Sequence, residues 1–497
     1  MSSVAQAVLR SWAIPPAATF LIVLSALVYL RGWWLLRRAG SPTLPRWRAL
    51  TFLLGLFSLW VALASPMDVF NGFLLTAHML QHMVLMMVAP PLVLLGAPLV
   101  PMVRGLPIFA AREFAGPFLH WSIARYVGRT LTNPITALLL MGAAMFAWHV
   151  PGLYELALRS PAWHQVEHAC FFLTSLLFWW PVVQPWPSRA QWPRWAMVPY
   201  LLVADLQNTA LSAILCFSDR VLYPSYSAVP RLFGLSPLED QVAAGAIMWV
   251  VGSLAFIVPA IVIAVQCLSR RPLGMVTPSR RHEPSPLETL LSTSSGIAVL
   301  SRAVRKWWRK ERFEAVSFVV LFAAAGVCFA VLLASGSDDD DNQALLFQGT
   351  SGSFAVAVFA PAGDLAAGPS PLSVLVQDPD TQNVLLDATV DLTTRPTRSQ
   401  EPSSTVRASN ADSPNKLLQT ASIVLPATGD WTLDMVVQRN SEIANLSLPL
   451  EVVRAQRDAE APWSYLFVLA SASILVLVFT LRHWPRREAI QQAAPAE

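Results

Sequence analysis

Long apolar runs separated by short polar or basic stretches fill the first half of the chain. A helix needs roughly 20 apolar residues to cross a hydrocarbon core of about 30 Å. Nine stretches meet that length: roughly 16–36, 50–66, 73–99, 134–150, 163–184, 196–217, 241–267, 314–335 and 463–482. The second and fourth are short and extend into their flanks. Pro90 and Pro91 inside the third predict a kink or break, which membrane helices tolerate when neighbours re-satisfy the freed carbonyls. Residues 336–462 follow another pattern. After the acidic linker "SGSDDDDNQ" come short β-prone runs, "SFAVAVFAP", "PLSVLVQDP", "NVLLDATVDLTT", "LLQTASIVLPATGDWTLDMVVQ" and "LSLPLEVV", broken by Pro, Gly and Asp. That spacing predicts a small antiparallel β-sandwich.

Basic residues orient the spans. Arg37, Arg38, Arg46 and Arg48 follow the first run, Arg104, Arg112, Arg125 and Arg129 the third, and Arg189 and Arg194 the fifth. The stretch 268–313 is the most basic and ends in "RKWWRKERF". The intervening loops are poorer: 67–72 has no Lys or Arg, 151–162 only Arg159, and 218–240 balances Arg220 and Arg231 against Asp219, Glu239 and Asp240. By the positive-inside rule the N-terminus lies outside and the C-terminus inside. Trp pairs at 33–34, 179–180 and 307–308 fall at the predicted inner interface. Only Arg10 precedes the first apolar run, while Arg31, Arg37, Arg38, Arg46 and Arg48 come at its end or after it, so that run is expected to be a retained span and not a cleaved signal.

The expected fold class is therefore an all-α polytopic membrane helix bundle of about nine spans, N-out and C-in. A small extracytoplasmic β-sandwich lies between the last two spans. Residues 1–267 form a seven-span core, 268–313 a basic cytoplasmic loop, 314–335 span eight, 336–462 the β domain, and 463–497 span nine with a cytoplasmic tail. Only 13% of residues are charged and 54% are hydrophobic, against about 25% charged in soluble domains. The small net charge of +4 is spread by topology, which points to membrane lipid and gives no footprint for nucleic acid. Cys170, Cys216, Cys267 and Cys328 lie in apolar stretches without short spacing, so no disulfide framework or CxxC motif is present.

Histidine placement carries the chemistry. His120, His282 and His483 fall in basic inner stretches and read as solvated. The other five fall at the outer ends of three spans: His78 and His82 entering span three, His149 leaving span four, and His164 and His168 opening span five. Residues i and i+4 share a helix face, which aligns His78 with His82 and Met86, His149 with Met141 and Met145, and His164 with His168. Met79, Met83 and Met87 form the neighbouring stripe. A single membrane histidine is more often a packing residue, and a Met stripe more often core filler. Five costly imidazoles at one depth instead mark a function. Imidazole with thioether suits copper, Cu(I) in particular. The candidate ligands are His78, His82, His149, His164 and His168, with Met83, Met86 and Met248. Asp205 and Asn208 sit mid-membrane in "ADLQNTALSAILCFSD", with Cys216 near the outer end. Asp205 is left open as a partner of the ligands, a proton site or a packing group. Glu239, Asp240 and Gln241 are placed at the outer surface.

The blocks "AHMLQHMVLMMVAPPLVLLGAP", "WHVPGLYELAL", "HQVEHACFFLTSLLFWWPV" and "LYPSYSAVPRLFGLSPLEDQVAAGAIMWV" together resemble the polytopic CtaG-type cytochrome c oxidase assembly factors over about residues 15–267. The resemblance implies a role in building a haem–copper terminal oxidase in a bacterial cytoplasmic membrane, at the step that supplies copper. It also implies partners in the oxidase subunits and an extracytoplasmic copper donor. The β domain is remotely similar to small FixH-like or YtkA-like extracytoplasmic domains, which implies an adaptor. It contains no His or Cys and Met435 as its only Met, so deleting 337–460 is expected to leave copper binding intact.

On these grounds the chain is expected to be a chaperone and not an enzyme. It would take copper at the outer His/Met pocket and release it laterally to the oxidase, with Asp205 or a Cys216 thiolate offsetting the ion's charge. Two other classes use the same cluster. "HQVEH" fits the H-x-x-E-H zinc-hydrolase pattern with Glu167 as base, although no downstream acidic ligand is evident. Paired histidines also suit haem ligation or copper transport, although the inner half shows no ligand ladder.

Overall fold

The computed structural model describes residues 2–39, 44–108, 122–188, 190–269, 343–361, 365–397, 404–411 and 413–453. Expected spans eight and nine, His120, His282, His483 and Cys328 lie outside the described residues, as does nearly all of the basic loop.

Seven of the expected spans fall within them. A short amphipathic helix, α1 (Ser3–Arg10), precedes α2 (Pro16–Arg38) and α3 (Arg46–Ala64). The third span is composite: α4 (Leu75–Met83), a π-helical turn at Val84–Val88, and α5 (Ala89–Leu95), followed by α6 (Leu99–Gly105). The fourth is α7 (Pro134–Trp148), bent by 74° from α8 (Pro151–Arg159). Then come α9 (Pro161–Val183), α10 (Met197–Phe217) and α11 (Pro237–Ser269). Among the described residues, six helices are long and apolar enough to cross a bilayer, or seven if the bent pair α7–α8 is one span. Their outward faces are apolar: Phe20, Leu139, Leu206 and Val250 are each at least 60% exposed, which suits lipid and not water.

Where the prolines predict a break, the chain uses a π-turn. Pro90 cannot donate an N–H to the carbonyl four residues back, that of Met86. The indole of Trp179 on α9 supplies the missing donor, at 3.0 Å from the Met86 oxygen. The turn adds a residue to the helical repeat, so the i, i+4 stripe from His78 and His82 does not continue in register to Met86. Elsewhere α2 and α6 cross at glycines. A Cβ on Gly105 would stand 1.8 Å from the Val28 carbonyl oxygen, and one on Gly32 equally close to that of Pro101. This is the small-residue contact by which membrane helices approach backbone to backbone.

The C-terminal segment folds as a two-sheet β domain: β1 (Gln343–Ser351), β2 (Phe354–Pro361), β3 (Gly368–Gln377), β4 (Thr389–Pro396), β5 (Ser404–Arg407), β6 (Gln419–Leu425), β7 (Gly429–Arg439) and β8 (Glu442–Val452). The sheets run β1-β2-β3-β6 and β5-β4-β7-β8, and every ladder is antiparallel. Edge strands β1 and β5 were absent from the expected set. Trp431, Leu433, Met435 and Val437 alternate inward from β7 to meet Phe354, Val356, Val358, Leu372 and Val374.

Strands β2 and β3 bury both faces. Their outer-face residues Ala357, Phe359 and Leu375 join Ala7 of α1, Phe70 and Leu232 in a separate apolar cluster, against which Phe73, Leu74 and Ala77 also pack. The Phe73 and Phe359 rings meet edge to face at 5.5 Å. Gln377 Nε2 donates to the Arg231 carbonyl at 2.8 Å, and the Lys416 amide donates to Ser11 Oγ at 3.0 Å. The sandwich thus rests on the segment that leads directly into α4.

A carboxylate buried in this contact would cost several kcal/mol, so Phe359→Asp is expected to release the sandwich. Amide exchange over residues 70–77 should rise at least tenfold while the strands of the sandwich keep their protection. Unchanged exchange at 70–77 would show that the contact does not hold the two together.

Candidate metal centre

The helix carrying His78 and His82 starts without a cap of its own, because Leu74 precedes it with no side-chain acceptor. Asp240, at the start of α11, supplies one from a distance. Its Oδ2 accepts from the Leu75 amide at 2.6 Å and its Oδ1 from the Thr76 amide at 3.1 Å, and the Thr76 hydroxyl donates to it as well. A carboxylate on free helical N–H groups satisfies orphan donors and complements the helix dipole. Asp240 is therefore buried, at 3% exposure, instead of lying at the surface as the sequence suggested. Gln241 is buried beside it and binds the Leu222 amide and the Leu215 and Arg220 carbonyls. A second tie comes from Gln81, whose Nε2 donates to the Ala62 carbonyl and to Asp68 Oδ1. These contacts fix the depth and rotation of α4.

Against α4 lies α9, with His164 and His168 on one face and Glu167 between them. Ring centroids are 4.3 Å apart for His78 and His82, 4.1 Å for His164 and His168, 5.2 Å for His78 and His164, and 5.5 Å for His82 and His168. Glu167 points into this group. Its Oε2 is 3.7 Å from His78 Nε2 and its Oε1 is 3.9 Å from His82 Nε2, too far for hydrogen bonds. Its side chain is 1% exposed. Donor atoms of His78, His82, His164 and Glu167 all lie within 4.8 Å of one another. Two ligands on a tetrahedral ion with bonds of 2.0–2.1 Å stand about 3.3 Å apart, so small side-chain rotations close this set on one ion.

The donors are otherwise idle. His78 Nε2, both nitrogens of His82 and of His168, His149 Nε2, His164 Nε2 and both Glu167 oxygens are buried with no hydrogen-bond partner among the described residues. Where a histidine has a partner, it is on the nitrogen facing away. His149 caps the C-terminus of α7 at the bend into α8, and its Nδ1 lies 2.7 Å from the Met145 carbonyl. A carbonyl only accepts, which assigns the proton to Nδ1 and leaves the Nε2 lone pair free. His78 Nδ1 lies 3.5 Å from Tyr226 Oη. That tyrosine donates to the Asn71 carbonyl at 2.8 Å and is 2.9 Å from Tyr154 Oη, while Tyr223 donates to the His149 carbonyl at 3.1 Å. Tyr154 and Tyr223 stack at 4.0 Å. Such outer partners orient metal-binding histidines.

The expected ligands divide. His78, His82 and His164 come together with Glu167, His168 packs against His82 and His164, and His149 faces Phe171 at 6.4 Å. Met83, Met86 and Met248 lie in the large buried apolar cluster with Met79, Met87, Met141 and Met145. Asp205 accepts from Ser253 at 2.7 Å, a tie between α10 and α11. The Cys216 thiol lies 3.6 Å from the Val242 carbonyl, outside the four-donor group. Glu167 as a donor and the three tyrosines were missed as parts of the centre. The tyrosines sit in "GLYEL" and "LYPSYS", but nothing in their spacing announces a shared target.

These features define a polytopic helical membrane protein with a buried imidazole–carboxylate centre at the start of two spans. Residues 27–270 match the family model of the cytochrome c oxidase caa3 assembly factors (Caa3_CtaG), and this part of the chain belongs to that family. Similar proteins include uncharacterised ones from Mycobacterium bovis and Mycobacterium tuberculosis, each 26% identical over 272 residues, or 53% of this chain and 40% of the relative. One from Mycobacterium leprae is 24% identical over 241 residues, 48% of this chain and 36% of the relative. The chain thus spans less than half the length of these relatives. No solved structure matches.

Asp240→Ala removes the cap that α4 borrows and should cost about 1–2 kcal/mol, lowering the thermal unfolding midpoint in detergent by a few degrees. Tyr226→Phe leaves the Asn71 carbonyl and the Tyr154 hydroxyl unpaired, which should lower that midpoint by a similar amount, and in addition should weaken metal binding about 10-fold, the usual effect of losing an outer partner. Equal effects of the two variants on binding would contradict the distinct roles given to them.

Proposed function

We propose that the chain binds copper as cargo at the His78/His82/His164/Glu167 centre and delivers it to a haem–copper oxidase during assembly. The observation that carries this is Glu167. A carboxylate in an apolar interior, with both oxygens unpaired and imidazole nitrogens on either side, is costly unless a cation or proton accompanies it. A metal ion satisfies the carboxylate and the imidazole lone pairs at once. Imidazole suits copper, zinc and iron alike, and the match to an oxidase assembly-factor family supports copper as the cargo.

In this account the ion enters from the extracytoplasmic side, where a copper donor meets the outer end of α4 and α9. Weak binding by neutral imidazoles and one carboxylate permits release, and no turnover is needed. The methionines pack the bundle beneath the centre. The sandwich, resting on residues 70–77, is placed to dock a donor or the oxidase on the same side. The bundle itself sits in the bacterial cytoplasmic membrane.

A specific observation also bears on the zinc-hydrolase alternative. Glu167 points between His78 and His82 as a ligand would, whereas a general base must face a metal-bound water from outside the donor set. That geometry favours carriage over hydrolysis.

The test is metal content of the detergent-purified protein after anaerobic loading with Cu(I), and separately with Cu(II) and Zn(II). Copper retained by the wild type and lost from His78→Ala/His82→Ala is the expected result, with Glu167→Gln weakened at least 10-fold. Copper bound equally by all three proteins would move the site elsewhere. Zinc retained in preference to copper would overturn the cargo.

A further inference from the structure

The cluster holds more donors than one ion can use, and they are arranged in two layers. Helices α4 and α9 both carry histidines four residues apart, a step of about 6 Å along a helix. The first layer pairs His78 with His164, centroids 5.2 Å apart, and the second pairs His82 with His168 at 5.5 Å. Glu167 spans the layers, with Oε2 toward His78 and Oε1 toward His82. One carboxylate oxygen per layer is the disposition of a bridging ligand between two metals, which in carboxylate-bridged pairs lie roughly 3.5–4 Å apart.

The second layer has its own unused donors. Both nitrogens of His168 and both of His82 are buried with no partner among the described residues. His149, on the far side of the Phe171 contact, keeps its Nδ1 engaged with the Met145 carbonyl at 2.7 Å. Phe171, one turn inward of His168, walls this layer: its ring lies 4.6 Å from His82 and 6.4 Å from His149. His78, His82, His164, Glu167 and His168, with eight buried nitrogen and oxygen atoms unpaired among the described residues, exceed the three or four ligands of a single copper ion.

We infer that the centre is binuclear, with one ion held by His78 and His164 and a second by His82 and His168, Glu167 bridging the two. The proposal rests on the copper reading above and adds to it the number of ions and the division of ligands. All the imidazoles bind as neutral rings, and the bridging carboxylate carries the only negative charge. Two Cu(I) ions thus leave the centre one positive charge in excess, which favours release of one ion once an acceptor docks.

The experiment is an anaerobic Cu(I) titration of the full chain in detergent against a chromophoric Cu(I) chelator, with bound copper counted by elemental analysis. The wild type should saturate at two ions per chain. His168→Gln should saturate at one, and His164→Gln should also fall to one. Both are checked for an unchanged elution volume, which guards against a variant failing to fold. Saturation of the wild type at one ion, or a full complement of two in the His168 variant, would overturn the binuclear centre while leaving copper carriage standing. No copper in the wild type would overturn both.

Discussion

A carboxylate in an apolar interior needs a positive partner, and the region around Glu167 is organised by that demand. Among the described residues no Lys or Arg pairs with it, and the groups that face it are imidazoles. Two spans must therefore present histidines at matched depth, and something must hold those spans in register. Asp240 does so for α4 from the start of α11, while Tyr226 faces His78 Nδ1 and the Met145 carbonyl takes His149 Nδ1, so that Nε2 of each ring is turned the other way. A buried centre of this kind is expensive for folding and is retained where it carries a function.

The β domain enters the same logic through the 70–77 segment. Phe70 and Phe73 belong to an apolar cluster shared with β2 and β3, and Leu75 and Thr76 immediately after them take the Asp240 cap. The sandwich thus packs on the residues that lead into the first turn of the histidine helix. The segment on which the domain packs and the start of the centre are contiguous in the chain.

Much of this was legible in the sequence, and the rest was hidden for physical reasons. Apolar run lengths located the spans, and i, i+4 spacing put His78 with His82 and His164 with His168 on common faces, because helix periodicity is local. Span four was less legible: an apolar count does not show that Pro151 starts a second helix turned by 74°. Register past His82 was lost because prolines announce a break without saying whether a π-turn absorbs it. Glu167 was visible in "HQVEH" but read as a base, since only the partner helix shows which way it points. Asp240 and Gln241 looked like surface residues because their partners lie about 20 to 165 positions away. The near-continuous apolar run "SFAVAVFAP" carried a signal that alternation alone does not give: a strand apolar on both faces is covered on both, here by the sandwich core and by the helices.

The central claim is that imidazoles and Glu167, and not the methionine stripe, hold the ion. X-ray absorption at the copper edge of the Cu(I)-loaded full-length protein tests it most directly. The account predicts a first shell of nitrogen and oxygen scatterers with the outer-shell pattern of imidazole rings and no sulfur. A sulfur scatterer in the first shell would place the ion among Met83, Met86 or Met248 and contradict the account.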